Sequence, residues 1–237
     1  MTPSDPPIAH PSNSPLPTAA VADAAVRLGL PVPAAPPALR PLLPGILISG
    51  QAMPVTHLGS VDVILETIDD SPAGAVVVVD NGGRLDEACI GDLIALEAKL
   101  AGLSGLVIWG LHRDTAQLRE IGLPVFSLGA FPYGPRRIPP AGRRMPTAFL
   151  DGAAVTEADH IVADDDGVLV VGPERREEVF ELAAGILATE TAQADRMRGG
   201  THLRTQLNFA EYRRKQDVDP TMTLRRHLQD TGSAIET

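Results

Sequence analysis

Apolar and polar positions change period within one stretch, residues 91–114, GDLIALEAKLAGLSGLVIWGLHRD. Leu93, Leu96 and Leu100 are three and four apart, so at 3.6 residues per turn they share one face, and the spacing predicts an amphipathic helix opening at Gly91-Asp92. A Gly-rich turn over 102–105 follows. The short apolar run LVIW, bounded by Gly105 and Gly110, then reads as a buried strand, and His112-Arg113-Asp114 as its polar exit.

The same reading extends along the chain. A helix is predicted from Thr18, through Ala22, Ala25, Val26 and Leu28, to Gly29. The next segment, LPVPAAPPALRPLLPG, is a wrapping loop, because its prolines remove donors and fix φ. A first strand is expected over 46–55, broken by Gly50 and Pro54, and a helix over 61–71 with Val61, Ile64, Leu65 and Ile68 on one face. AVVVVD, residues 75–80, is β-branched and suits a strand covered on both faces. If it runs parallel to LVIW, with the helix from Asp92 as crossover, its exit Asp80-Asn81-Gly82-Gly83 shares a sheet edge with Arg113-Asp114. TAQLREIG is a short helix, PVFSLG a strand, and residues 163–171 a turn of three aspartates entering a strand. Residues 173–198 form a long amphipathic helix with Val179, Leu182, Ile186 and Leu187 apolar.

Three segments stand apart. Residues 1–18, rich in Pro and Ser, are expected to be disordered or loosely attached. The loop 131–146 carries Arg136, Arg137, Arg143 and Arg144, either a clamp for an anionic substrate, a subunit contact or a solvated loop. From Thr201 the chain alternates in charge and holds Phe209, Tyr212, Met222, Leu224 and Leu228, a tail over 201–237 that docks on a neighbouring subunit or stays solvated.

Composition narrows the function classes. At 237 residues the chain can bury the core of a single α/β domain with extensions. The net charge of −10 and the 3% aromatic content disfavour a nucleic-acid ligand. Cys89 is the only cysteine, so an internal disulfide is impossible and a reducing cytoplasm is the simplest setting. No basic-then-apolar leader is visible at the start, and no apolar run approaches the ~20 residues that span a bilayer, so no membrane association is expected.

Candidate chemistry gathers where a strand ends in Gly and presents Arg-Asp, since α/β sheets bind ligands at the carboxyl ends of their strands. A helix starting at Gly91-Asp92 adds unpaired backbone N–H groups that favour an anion. Asp114 can bind a hard divalent cation, Asp92 can orient its waters, and Arg113 offers a planar fork to a carboxylate or enolate. Such a set suits carbon–carbon cleavage next to a ketone. The bland alternative is a surface ion pair of Arg113 and Asp114 capping the following helix. His112 reads as a surface or packing residue rather than as an acid or base, and Cys89 as a packing residue rather than as a nucleophile.

Asp92, twenty intervening residues and Arg113-Asp114 resemble the signature of the RraA-like proteins, a family of 4-hydroxy-4-methyl-2-oxoglutarate aldolases and of a regulator of ribonuclease activity. Gly50-Gln51-Ala52, the strand ending at Asp80, Asn81-Gly82-Gly83, Pro124-Val125-Phe126 and ADDDGVLVV extend the resemblance, in the same order, over about residues 20–200. It implies an α/β domain over 19–200, of the swivelling β/β/α type with mixed sheets flanked by helices. It also implies a homotrimer or hexamer with its site at the subunit boundary. The activity implied is Mg2+- or Mn2+-dependent release of pyruvate from a small 2-oxo acid, by aldol cleavage or oxaloacetate decarboxylation. Carried over, Asp114 is the metal ligand, Arg113 the enolate stabiliser and Asp92 the holder of water on the metal. The amides of Leu93 and Ile94, beside Gly91, bind the substrate carboxylate. Glu190, from an adjacent subunit, is a second acidic metal residue. One position departs: the family tends to place Glu or Asp three residues after Asp114, where this chain has Gln117. A non-catalytic protein that binds and regulates a protein partner is the other role the resemblance offers.

Overall fold

In the computed structural model, residues 15–136 and 145–231 are described. The expectations for residues 1–14 and for Arg137, Arg143 and Arg144 lie outside them. In chain order the elements are α1 (Thr18–Leu28), β1 (Arg40–Pro41), β2 (Ile48–Thr56), α2 (Asp62–Asp69), β3 (Val76–Asp80), β4 (Ala88–Ile90), α3 (Asp92–Leu100), β5 (Gly105–Trp109), β6 (Leu111–His112) and α4 (Thr115–Ile121). There follow β7 (Val125–Ser127), β8 (Ala148–Leu150), β9 (Ala153–Val155), β10 (His160–Asp164), β11 (Gly167–Val171), α5 (Arg176–Arg198), α6 (Leu203–Gln206), α7 (Phe209–Val218) and α8 (Leu224–Thr231). They gather into two compact units, one built on residues 32–174 and one joining residues 19–31 to the chain from Arg175 onward.

The first unit is a mixed α/β arrangement around a seven-stranded sheet of order β1-β7-β5-β3-β2-β10-β11. β2, β3, β5 and β7 run parallel, while β1 and the β10–β11 hairpin pair antiparallel at the two sides. Period-two alternation sorts the central strands between two cores. Val77, Val79, Leu106, Ile108 and Val125 join Ile64 and Ile68 of α2, Ala95 and Ala98 of α3 and Leu118 of α4. Val76, Val78, Val107 and Phe126 face the other way, among Ala148, Leu150, Val155, Ile161 and Val170. With both faces covered, the near-continuous valine run of β3 has no polar side to present.

Strand β2 differs from its expectation: it runs unbroken through Gly50 and Pro54. Residues 48–51 pair with β10, and residues 52–56 pair with β3. Pro54 therefore sits where the strand is laddered on one side, and its missing donor is tolerated. Gly50 is needed for space, because a Cβ there would collide with the Gly74 carbonyl.

Helix α3 corrects the reading of its face. Leu93 and Leu100 are each 75% exposed and Leu96 is 42% exposed, whereas Ala95 and Ala98 are fully buried. The helix carries a leucine stripe and an alanine stripe at the same period, and the alanines let its backbone approach the sheet. Helix α2 divides similarly, with Ile64 and Ile68 buried and Val61 and Leu65 exposed. Cys89 lies in β4 and is buried.

Asp164 ends β10 and Asp165-Asp166 form the expected turn, and these aspartates also anchor the chain. Asp164 accepts from the Thr18 amide (2.8 Å) and hydroxyl (2.6 Å), and Asp165 accepts from the Gly45 amide (2.8 Å). In the second unit α5 buries Val179, Ala183 and Ile186. The C-terminal segment forms α6 to α8, with Leu207, His227 and Leu228 buried. Among the described residues no helix is long and apolar enough to cross a membrane.

Candidate active site

Two parallel ladders bring the sequence-distant residues together. Strands β3 and β5 pair from Val76↔Gly105 to Asp80↔Trp109, so the turns after Asp80 and after Trp109 leave the sheet at one edge. Beyond that edge β4 pairs with β6, Ala88 opposite Leu111 and Ile90 opposite His112. The Arg113 amide then donates to the Ile90 carbonyl at 2.9 Å. Gly91-Asp92 is thereby held beside Arg113-Asp114, and this is the physical content of the spacing between Asp92 and Asp114.

At the meeting point, Asp114 Oδ2 lies 3.4 Å from Arg113 Nε and accepts from the Asp92 amide at 3.4 Å. Asp114 has φ 59° and ψ 40°, left-handed backbone that costs a non-glycine residue roughly 1–2 kcal/mol. It occupies the position before α4 yet makes no side-chain capping hydrogen bond there. Its carboxylate is turned toward the start of α3 instead. The ion pair of the bland reading is present and the cap is absent. Asp92 Oδ1 accepts from the Leu93 amide at 2.8 Å, so that donor, expected for substrate, is engaged by Asp92. The Ile94 amide, third in α3, has no carbonyl one turn earlier within the helix.

Two cavities adjoin this cluster and share Arg113. One of about 210 Å³ is bounded by Gly91, Asp92, Leu93, Ile94, Arg113 and Pro135. The other, about 360 Å³, is bounded by Arg113, Asp114, Thr115, Ala130, Phe131 and Pro132. Asp114, whose side chain is 34% exposed, offers one accessible carboxylate. That donor fits a hard cation that keeps most of its water. Among the described residues no group of three His, Cys, Asp or Glu gathers into a closed metal cage.

The surrounding residues are structural supports. Asp80, buried, accepts from the Gly82 amide (2.7 Å) and the Phe149 amide (3.0 Å), which fixes the neighbouring turn. His112, expected on a polar exit, is buried in β6, where its ring nitrogens are hydrogen-bonded to Ser127 Oγ (2.7 Å) and Thr115 Oγ1 (3.1 Å). Burial, followed by the Arg119 charge, holds His112 below its ordinary pKa of 6.5, so it is neutral at pH 7. Gln117 is exposed on α4, and Glu190 is exposed on α5 in the second unit. Sequence reasoning missed Thr115, Phe131 and the backbone around Gly134. The last had a visible signal, Pro132-Tyr133-Gly134-Pro135, within the loop 131–146 that stands out for its arginines.

The sequence model of the RraA-like family, described as Aldolase/RraA, matches residues 18–170. A protein of Deinococcus radiodurans with the provisional name of a 4-hydroxy-4-methyl-2-oxoglutarate aldolase is 38% identical over 112 residues, 47% of this chain and 69% of that protein. Among solved structures, an uncharacterized protein from Pseudomonas syringae pv. tomato superposes with a TM-score of 0.71 at 28% identity, covering 80% of this chain and 91% of that one. Streptomyces coelicolor RraAS2, described as an unusual member of the RNase ES inhibitor RraA family, superposes at 0.65 and 23% identity, over 77% and 93% of the two chains, which is a likeness of fold.

Proposed function

The chain belongs to the RraA-like family, and from that premise we propose that it is a divalent-metal-dependent carbon–carbon lyase releasing pyruvate from short 2-oxo acids. The observation that supports this reading is Asp114, whose left-handed backbone turns a carboxylate away from capping α4 and toward Arg113 and the α3 start. That carboxylate, 34% exposed beside Arg113 and bounding the larger cavity, is placed to meet a ligand. Asp114 would hold the cation, with Asp92 orienting its waters and Glu190 of an adjacent subunit as a further carboxylate. When bound, Mg2+ or Mn2+ supplies electrophilic pull on the ketone oxygen.

The chain's own residues supply the rest. The start of α3, at Gly91 and the Leu93 and Ile94 amides, receives the substrate carboxylate; Leu93 becomes available when Asp92 rotates off it. Arg113 presents its guanidinium to the oxygen that gains charge as the bond between C3 and C4 breaks. In oxaloacetate the C4 carboxylate leaves as CO2, the electron pair forms the pyruvate enolate, and C3 then takes a proton from solvent. In 4-hydroxy-4-methyl-2-oxoglutarate the same cleavage first requires a base to remove the C4 hydroxyl proton. Gln117 is neutral where the family tends to carry an acid and would hold a hydrated cation less strongly, so decarboxylation is the reaction this site suits better. Gln117 also favours a second reading, a non-catalytic protein that regulates a protein partner.

The test is pyruvate release from both acids with Mg2+ or Mn2+ and then with a chelator. Asp114→Asn keeps a side chain that tolerates left-handed backbone while removing the charge. It is expected to lower turnover by about 10²–10³-fold. Folded protein with no release above the metal's own background would remove the lyase reading and leave the regulator.

A further inference from the structure

Arg113 is flanked by two glycines whose backbones do not require glycine. Gly91 has φ −133° and ψ −170°, extended backbone that any residue adopts, and Gly134 has no left-handed φ. Space selects them instead. A Cβ at Gly91 would lie 2.5 Å from Asp114 Oδ2 and 3.2 Å from Arg113 Nε. A Cβ at Gly134 would lie 3.0 Å from Arg113 Nη1 and 3.7 Å from its Cζ. The guanidinium therefore passes between two places where a single carbon is missing.

Hydrogen bonding does little to hold it there. Among the described residues, the side chain's polar contact is the 3.4 Å approach to Asp114, and the side chain is 49% exposed. A long side chain so placed samples many rotamers unless walls exclude them. The wall on the Gly134 side is firmly tied. The Phe131 amide donates to the His112 carbonyl and the Ala88 amide to the Tyr133 carbonyl, both at 2.8 Å. The Phe131 and Tyr133 rings pack with centroids 5.8 Å apart, and the Arg136 guanidinium sits 4.6 Å over the Tyr133 ring. Residues 131–136 thus form a strap anchored on β4 and β6, the same strands that place Gly91 and Arg113. Pro135 bounds the smaller cavity, Phe131 and Pro132 the larger.

We propose that Gly134 is a positioning residue for Arg113: the strap, brought close by the absence of a Cβ, sets where the guanidinium stands between the two cavities. A methyl at 134 would meet Nη1 at 3.0 Å, and because the strap is tied at Phe131 and Tyr133 the flexible fork is the part that gives way. This inference rests on the lyase reading for its functional consequence, but its geometric content stands alone.

The experiment measures binding of oxalate, a planar analogue of the pyruvate enolate, by calorimetry with Mg2+, together with a crystal structure of Gly134→Ala. The variant is expected to bind oxalate about tenfold to a hundredfold more weakly, to melt as the wild type does, and to show the guanidinium displaced. Arg113→Lys has no atom at Nη1, so adding Gly134→Ala to it is expected to change nothing, and the double variant should fold even if Gly134→Ala alone does not. Wild-type affinity in Gly134→Ala, an unmoved guanidinium, or a further loss in the Arg113→Lys background would each overturn the assignment. If the wild type itself binds no oxalate, the lyase reading fails, and the guanidinium's position in the variant crystal still decides the inference.

Discussion

At the scale of single residues, neighbours of Arg113 divide into those with chemistry and those that hold it in place. His112 is the clearest of the second kind. Its burial opposes protonation, and the Arg119 charge adds to that. The sign follows from linkage. In the unfolded chain the imidazole takes up a proton near 6.5, and in the folded protein it resists, so the unfolded state binds more protons below that pH. The His112 contribution is complete above about pH 6.5 and is lost as pH falls from there through the lowered folded value. The urea midpoint should therefore drop between pH 7.5 and pH 5.5, and His112→Gln should flatten part of that drop. Equal pH slopes for the two proteins would show that His112 is not the group responsible. Its placement was hidden in the sequence, where His112-Arg113-Asp114 reads as one polar exit. Only the pairing of β6 with β4 turns the first of the three inward.

At the scale of elements, α3 shows what a period can and cannot convey. A 3.6-residue repeat announces a helix, and α3 is present at Asp92–Leu100. It does not announce which of two stripes faces the sheet. Leucine has the greater transfer free energy, so the leucine stripe is the natural choice from sequence. The alanines form the buried stripe, and their small side chains let α3 pack closely against β5 and α4. Ala98→Leu should accordingly cost about 1–3 kcal/mol through overpacking, read as a lower melting temperature. A variant as stable as the wild type would mean the interface has slack. The strand pairs were also unequal in their legibility. β3 and β5, five residues each with all or most positions buried, were evident, while β4, β6, β8 and β9, two or three residues each, carry too few positions for any period.

At the scale of the molecule, the leucines that α3 turns outward need an explanation beyond the folded chain. Leu93 and Leu100 are each 75% exposed, with Leu96, Val61 and Leu65 also exposed on α3 and α2. We propose that a second copy of this chain covers this surface in a homotrimer or hexamer. Leu93 and Val61 also bound the smaller cavity, so the same contact would close the site from outside. Leu93→Asp combined with Leu100→Asp is then expected to shift sedimentation equilibrium toward a single chain and to reduce any pyruvate release with it. An unchanged assembly would assign those leucines to ordinary surface.

By itself the sequence determined the α/β class, the strands β3 and β5, the long helix α5 and the family. Each rests on local period or on ordered short motifs, which survive without knowledge of the fold. The family resemblance also singled out Asp92, Arg113 and Asp114 as one group. Tertiary structure alone decided how they meet: the β4–β6 ladder that joins Ala88 to Leu111 and Ile90 to His112, the left-handed turn that aims Asp114, and the strap whose missing Cβ leaves room for Arg113. Those are matters of distance between remote segments. Neither hydrophobic period nor residue type records a distance, so they become legible only once the backbone has closed.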